Sequence, residues 1–183
     1  MLITARRVTD DGLFRRACEM TLPPGKVSRV PYAKMLMAEH SPIRTIMFWI
    51  ECLDIKTKCS VHLVRHKIWT EHFVRSNRTD RGGAGDDVVT RETPVNHGLF
   101  LNAQALINMA RKRLCLHADK DTLAIMAQVR KAVRDADSDL AHAMVPECVY
   151  RGFCPEPRQC KAGQDRVIRS YAKGNPLYGF RAS

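Results

Sequence analysis

The segment Gly98-Leu-Phe-Leu-Asn-Ala-Gln-Ala-Leu-Ile-Asn-Met-Ala-Arg-Lys-Arg-Leu114 limits the possible folds more than any other part of the chain. It is apolar on nearly every face until Arg111, the pattern of a helix enclosed by other elements. The spacing predicts one central, buried helix over 98–114. On such a helix Asn102 and Arg113 project from the same face, because eleven residues at about 100° each return almost to the starting direction. A cation on an apolar helix is costly unless it is paired. A bound phosphate or a pyrimidine carbonyl would pair it, and so would a salt bridge at the helix end.

Around this helix the chain reads as mixed α and β. A strand is predicted over 2–8, then a helix capped by Thr9 or Asp10 and running through Met20. Pro31 opens a helix through Leu36 and Ala38 that Pro42 ends. Residues 44–53 read as a buried strand. From Ile55 the apolar positions recur at helical spacing and carry Arg65-His66-Lys67 to a helix C-terminus. A short β-like piece at 72–74 leads into the glycine-rich loop 79–87, read as a flap. Helices follow over 119–134 and 138–144. Residues 1–160 read as a single domain and 161–183 as a basic C-terminal tail.

The net charge is +11, with 30 Lys and Arg against 19 Asp and Glu, a balance that suits anionic partners. The charge concentrates in Arg65, His66, Lys67, His72, Arg75, Arg78 and Arg81. So much like charge is destabilising unless anions enter, and the cluster reads as a phosphate site. No run approaches the roughly 18–20 apolar residues of a membrane span. The N-terminus lacks an apolar stretch of signal-peptide length, so a cytoplasmic protein is expected. Seven cysteines without an export signal imply reduced thiols. Cys18, Cys52 and Cys59 fit as small core hydrophobes. Cys148, Cys154 and Cys160 recur six apart, with Cys115 as a potential fourth member. Zinc modules use tighter cysteine pairs, so free thiols are the preferred reading and no metal is assigned.

The stretch His62-Leu-Val-Arg-His-Lys-Ile-Trp-Thr70, followed by Ser76-Asn-Arg78, resembles the Arg-His-Arg-x2-Ser-x4-Ser-x-Arg motif of flavin-dependent thymidylate synthases. Upstream, Ser41-Pro42 and the apolar strand match the family's Ser-Pro-Phe-Glu-His segment in order and spacing. Downstream, Asn102-Ala-Gln-Ala-Leu with Asn108, Arg113 and His117-Ala118 is similar to its Asn-Ala-Arg-Ser-Leu helix and the Arg-x3-His-Ala that follows. The matching segments run from about 40 to 135. The whole chain looks most like the short bacteriophage versions, which share the Cys148-Val-Tyr-Arg-Gly-Phe-Cys154 ending and would place it in a phage-infected bacterial cell.

The resemblance implies an α/β (α+β mixed) fold, with a central sheet flanked by helices, assembling as a homotetramer with active sites between subunits. FAD would bind through Ser41, Arg65, His66, Lys67, Thr70, Asn102 and Asn108. A nucleotide, dUMP in the family, would be held by His62, Arg65, Ser76, Arg78, Arg91 and Arg113, with Arg113, Arg78 and Ser76 in catalytic roles. NADPH would reduce the flavin, methylenetetrahydrofolate would donate carbon, and hydride would pass from flavin to pyrimidine without a cysteine nucleophile. Arginines there stabilise negative charge on the ring's carbonyl oxygens.

Several positions depart from the motif. Lys67 stands for Arg, which turns a bidentate contact into a point charge. Thr70 stands for Ser, His72-Phe73 for an Asn-Glu pair, Arg44-Thr45 for Glu-His, and Glu39 for a flavin-contacting His. Arg81 is the alternative to Arg91 as a further phosphate ligand. These changes cluster where flavin and pyrimidine meet, so another pyrimidine deoxynucleotide such as dCMP, or another transferred group such as hydroxymethyl, is an open alternative. A family member that binds FAD without turnover is a further one. The rival class is a basic nucleic-acid-binding protein, disfavoured by the lack of a reading helix or RNA-binding motif.

Overall fold

The structure is a computed structural model that describes residues 1–178, the side chain of Asp86 excepted. Its centre is an antiparallel sheet of four strands in the order β1-β2-β4-β3: β1 (Leu2–Arg7), β2 (Met47–Lys56), β3 (Thr70–Val74) and β4 (Pro94–Asn102). Leu2 pairs with Leu53, Met47 with Asn102, and Thr70 with Leu101. The helices are α1 (Asp11–Met20), α2 (Tyr32–Ala38), α3 (Thr57–Val64), α4 (Ala103–Arg113), α5 (Lys120–Ala136), α6 (Ser138–Ala143), α7 (Glu147–Arg151) and α8 (Gln164–Ala172). The expected mixed α and β class is therefore the observed one. Among the described residues, no helix is long and apolar enough to cross a membrane.

Strand alternation decides which face is covered. Phe48, Ile50, Cys52 and Ile55 of β2 and Val95, Leu99 and Leu101 of β4 point into one core with the buried side of α5, Ile125, Met126, Val129 and Val133. Cys18, Cys52 and Cys59 are buried in that core, as expected of small apolar side chains. The other face carries Trp49 against Phe73, ring centroids 5.4 Å apart. It remains only partly covered.

The predicted helix over 98–114 divides in two. Residues 98–102 continue β4 between β2 and β3, and α4 starts at Ala103. An apolar run without alternation fits a buried strand as well as a buried helix, so periodicity could not separate them. Asn102 therefore stands at the boundary of the helix that carries Arg113 rather than within it. It is the N-cap, with its side-chain oxygen accepting from the Ala105 N–H at 2.9 Å.

Other boundaries moved for local reasons. β2 extends to Lys56 through a register shift at Asp54, whose φ is 56°, and this delays α3 to Thr57. The helix α2 stops at Ala38 because Glu39 takes the left-handed conformation, and Ser41–Thr45 form a 3-10 turn rather than the strand's start. Asp10, Asp119 and Asp137 cap α1, α5 and α6. Within the basic C-terminal stretch, α8 buries Val167, Ile168 and Ala172.

Candidate active site

The end of α3 and the end of α4 meet. Arg65 is the C-cap of α3, and His66 and Lys67 follow it. Across from them, Arg113 in the last turn of α4 donates from Nε to His66 Nε2 and from Nη2 to the His62 carbonyl, both at 2.9 Å. Because a guanidinium only donates, His66 must hold its lone pair on Nε2 and its proton on Nδ1. Burial, and after it the charges of Arg113 and of His72, lower the His66 pKa to about 4, so the ring is neutral near pH 7. Arg113 is itself shifted down by burial and by Arg65. Two like charges meet here, and among the described residues no carboxylate is bonded to Arg113.

His62 hydrogen-bonds Thr122 Oγ1 through Nδ1 at 3.0 Å. Burial first, then Arg113, Arg65 and Arg91, push its pKa down, so the positive charge of Arg91 is felt at the same place. The Arg91 carbonyl accepts from the Lys58 N–H at 3.0 Å. Lys58 and Lys56 bind Asp121 at 2.8 Å each and also pair with Glu92, closing the acidic end of α5 against α3.

Behind the cationic group lies a chain that sequence reasoning missed. Ser60 Oγ contacts His97 Nδ1, His97 Nε2 contacts His72 Nδ1, and His72 Nε2 contacts the His66 carbonyl, each at 3.0 Å. The carbonyl can only accept, so His72 carries its proton on Nε2. With both rings neutral, His97 donates from Nε2 to His72 and accepts the Ser60 hydroxyl at Nδ1. The chain links α3, β4 and β3 to the backbone of the basic segment. Its sequence signal is alternation: His72 and His97 sit on inward-facing positions of their strands, and polar groups there need partners.

A second polar network holds the start of α4. Glu39 accepts from Arg111 and from Gln104 Nε2, and Asn108 Oδ1 accepts from Gln104 and Arg111 at 3.3 Å each. The Arg111 guanidinium lies 3.5 Å from the Tyr150 ring centre. Gln104 Oε1 and Arg111 Nε are buried without partners among the described residues, and such orphans suit a polar ligand. Asn108 belongs to this network rather than to the Arg113 cluster.

The remaining sequence candidates are spread out. Thr70 is buried and donates to the Ile68 carbonyl at 3.4 Å. Lys67 and Ser41 are exposed. Ser76 Oγ accepts from the Arg78 N–H, while the Arg78 side chain grips Asp80 in a bidentate pair at 2.7 and 2.9 Å. Arg78 is thus turned towards Asp80, and among the described candidates Arg65, His66, His62, Arg91 and Arg113 converge within one chain. Gly83 is packed against the Asn77 backbone, where a Cβ would lie 2.3 Å from the carbonyl carbon. Ile68, Trp69 and Phe73 are 76, 62 and 54% exposed beside this site.

The arrangement was compared with known structures. A structure of thymidylate synthase X (ThyX) from Helicobacter pylori with FAD and dUMP superposes with a TM-score of 0.65 and 12% identity, covering 79% of this chain and 100% of that one. The chain has the ThyX fold. A second structure of the Helicobacter pylori enzyme with the same two ligands gives 0.63 at 12% identity, over 79% and 99% of the two chains. The UMP/dUMP methylase PolB from Streptomyces cacaoi, bound with 5-Br dUMP, gives 0.56 at 14% identity, over 83% and 96%. No protein-family model and no curated protein matches the sequence.

Proposed function

We propose that this protein is a flavin-dependent enzyme that modifies the pyrimidine of a uridine-type nucleotide, dUMP first among candidates. The observation that carries the reading is the orientation of Arg113, held by His66 and His62 at the mouth of an otherwise uncompensated cationic cluster. Those two bonds use only two of its five N–H donors. An arginine fixed in this way stabilises negative charge on a pyrimidine carbonyl oxygen, and Arg65 and Lys67 are placed to take phosphate charge. His66 acts by holding Arg113, as an acceptor whose lone pair survives at neutral pH.

The residues fit FAD in offering a cationic corner for a pyrophosphate, while the orphaned buried polar atoms at Gln104 and Arg111 lie on the opposite face of α4 and offer a separate polar contact. Ser41, Arg65, His66, Lys67, Thr70, Asn102 and Asn108 are the candidate contacts. When bound, the flavin supplies hydride to the pyrimidine, with NADPH as reductant and methylenetetrahydrofolate as carbon source. Ser76 and Arg78 would serve the site of a neighbouring copy in a homotetramer. The exposed apolar side chains of Ile68, Trp69 and Phe73 support such an assembly. The Arg78–Asp80 pair is 61 and 57% exposed, weak enough for a nucleotide phosphate to displace the carboxylate.

The test is FAD content of the purified protein, followed by titration with dUMP, UMP and dCMP while the flavin absorbance is read. Arg113→Ala should keep FAD and weaken nucleotide binding by at least about 30-fold, the scale of losing a charged hydrogen-bond partner. Protein that neither carries nor takes up FAD, and binds DNA in a strongly salt-dependent way instead, would overturn the reading.

A further inference from the structure

Four cysteines that are distant in sequence line one small cavity at the base of α4. Cys115 follows α4, Cys148 lies in α7, and Cys154 and Cys160 lie in the connection to α8; all four are free and partly buried, and all four face the cavity. We propose that Cys115, Cys148, Cys154 and Cys160 form a four-thiolate site for a soft metal centre, either zinc or an iron–sulfur cluster, that fastens the C-terminal segment to the domain.

The connection itself gives the first reason. Residues 152–163 contain no helix or strand, and Phe153 is 53% exposed. Such a segment buries too little apolar surface to offset the entropy of ordering it. The contacts that do hold it involve the cysteines: Cys160 packs against the core, and the Cys154 N–H donates to Gln164 Oε1 at 2.8 Å. Gly152 and Gly163, with φ of 81° and 75°, turn the chain at either end of this segment, which holds Cys154 and Cys160. A metal that clips these turns to Cys115 and Cys148 supplies the missing free energy, since metal binding and folding are the same event in such sites.

The lining gives the second: the four cysteines share the cavity with His117 and Glu156, further groups able to ligate a borderline cation. The spacing bears on which centre enters. Among the described residues no three of these sulfurs lie within 4.8 Å of one another, whereas zinc at about 2.3 Å from each sulfur draws them to about 3.8 Å. Zinc would have to draw the sulfurs together on binding, and the larger iron–sulfur core would ask less movement of them. Neither depends on the flavin reading.

The test is metal and sulfide analysis of the whole protein purified without oxygen, with its ultraviolet–visible spectrum. Expected is about one zinc, or iron and sulfide with a broad band near about 400 nm, in each chain. Cys154→Ser and Cys160→Ser should lose it, and Cys18→Ser, in the distant core, should keep it. In the native protein the four thiols should resist alkylation until a chelator is added. The proposal falls if the protein holds neither metal, as purified or after incubation with Zn²⁺ or with ferrous iron and sulfide. It falls equally if metal content is unchanged in both loop variants, or if the four cysteines prove to be paired in disulfides.

Discussion

Acid should unfold this protein through His97 before it titrates the carboxylates that close α5 against α3. The ring is fully buried between Ser60 and His72. Burial, and next the charge of His72, lowers its pKa to about 4. A base whose folded pKa lies below its unfolded value contributes stability that is complete above the unfolded value, near 6.5, and is lost as pH falls. At pH 4.5 linkage between about 6.5 and about 4 gives a loss of about 2.5 kcal/mol. His66 adds to the loss in the same direction. Asp121, held at about 2 by hydrogen bonds from Lys56 and Lys58 and by their charge, stays ionised in this window and does not contribute. The assay is urea unfolding at steps from pH 7.5 to 4.5, on the native chain and on His97→Gln, with imidazole proton and nitrogen resonances followed in parallel. The native chain should lose about 2 kcal/mol more than the variant over that range. A His97 ring that protonates above pH 6, or one whose proton sits on Nδ1 at neutral pH, refutes the directed chain; equal losses in both proteins refute its energetic weight.

Two further outcomes follow from particular contacts. Asn102→Ala removes the cap of α4 at a buried position and should cost about 1–2 kcal/mol in urea unfolding, with native-like stability showing that the cap is dispensable. Gly83→Ala forces a Cβ into the Asn77 backbone, breaking the bonds from the Gly83 and Gly85 N–H groups to the Arg78 and Asn77 carbonyls. It should weaken nucleotide binding by at least about tenfold with little change in unfolding midpoint, since residues 79–88 form only short 3-10 turns outside the sheet; unchanged affinity would remove Ser76 and Arg78 from the site.

The elements whose ends carry chemical punctuation were legible in the sequence. Asp10, one of the two caps the sequence offered, and Asp119 mark helix starts that the fold uses, and the basic segment at the end of α3 lies where periodicity put it. Gly98–Asn102 was misread because Leu99, Phe100 and Leu101 are all apolar, so the sequence hides an alternation that the burial shows, with Leu99 and Leu101 inside and Gly98 and Phe100 only partly covered. The glycine is informative only afterwards, when its missing Cβ is seen to leave room for Trp49 at 3.1 Å. That Arg113 joins His62 and Arg65 at one site was implied by the family resemblance, whereas the charge pattern alone pointed only to residues 65–81. The histidine chain stayed hidden because Ser60, His72 and His97 belong to three elements, and nothing local ties them together.

The join between β4 and α4 has no slack. Asn102 ends a ladder against Met47 and in the same residue begins the helix that carries Arg113. Lengthening the chain by one residue between them would turn Arg113 by about 100° and carry it about 1.5 Å along the axis, away from His66. Divergence in length must therefore fall elsewhere, as in the connection between β3 and β4 outside the sheet. The position of the guanidinium is in this sense inherited from strand register, and a mutation that slips β4 in the sheet would silence the site without touching any residue in it.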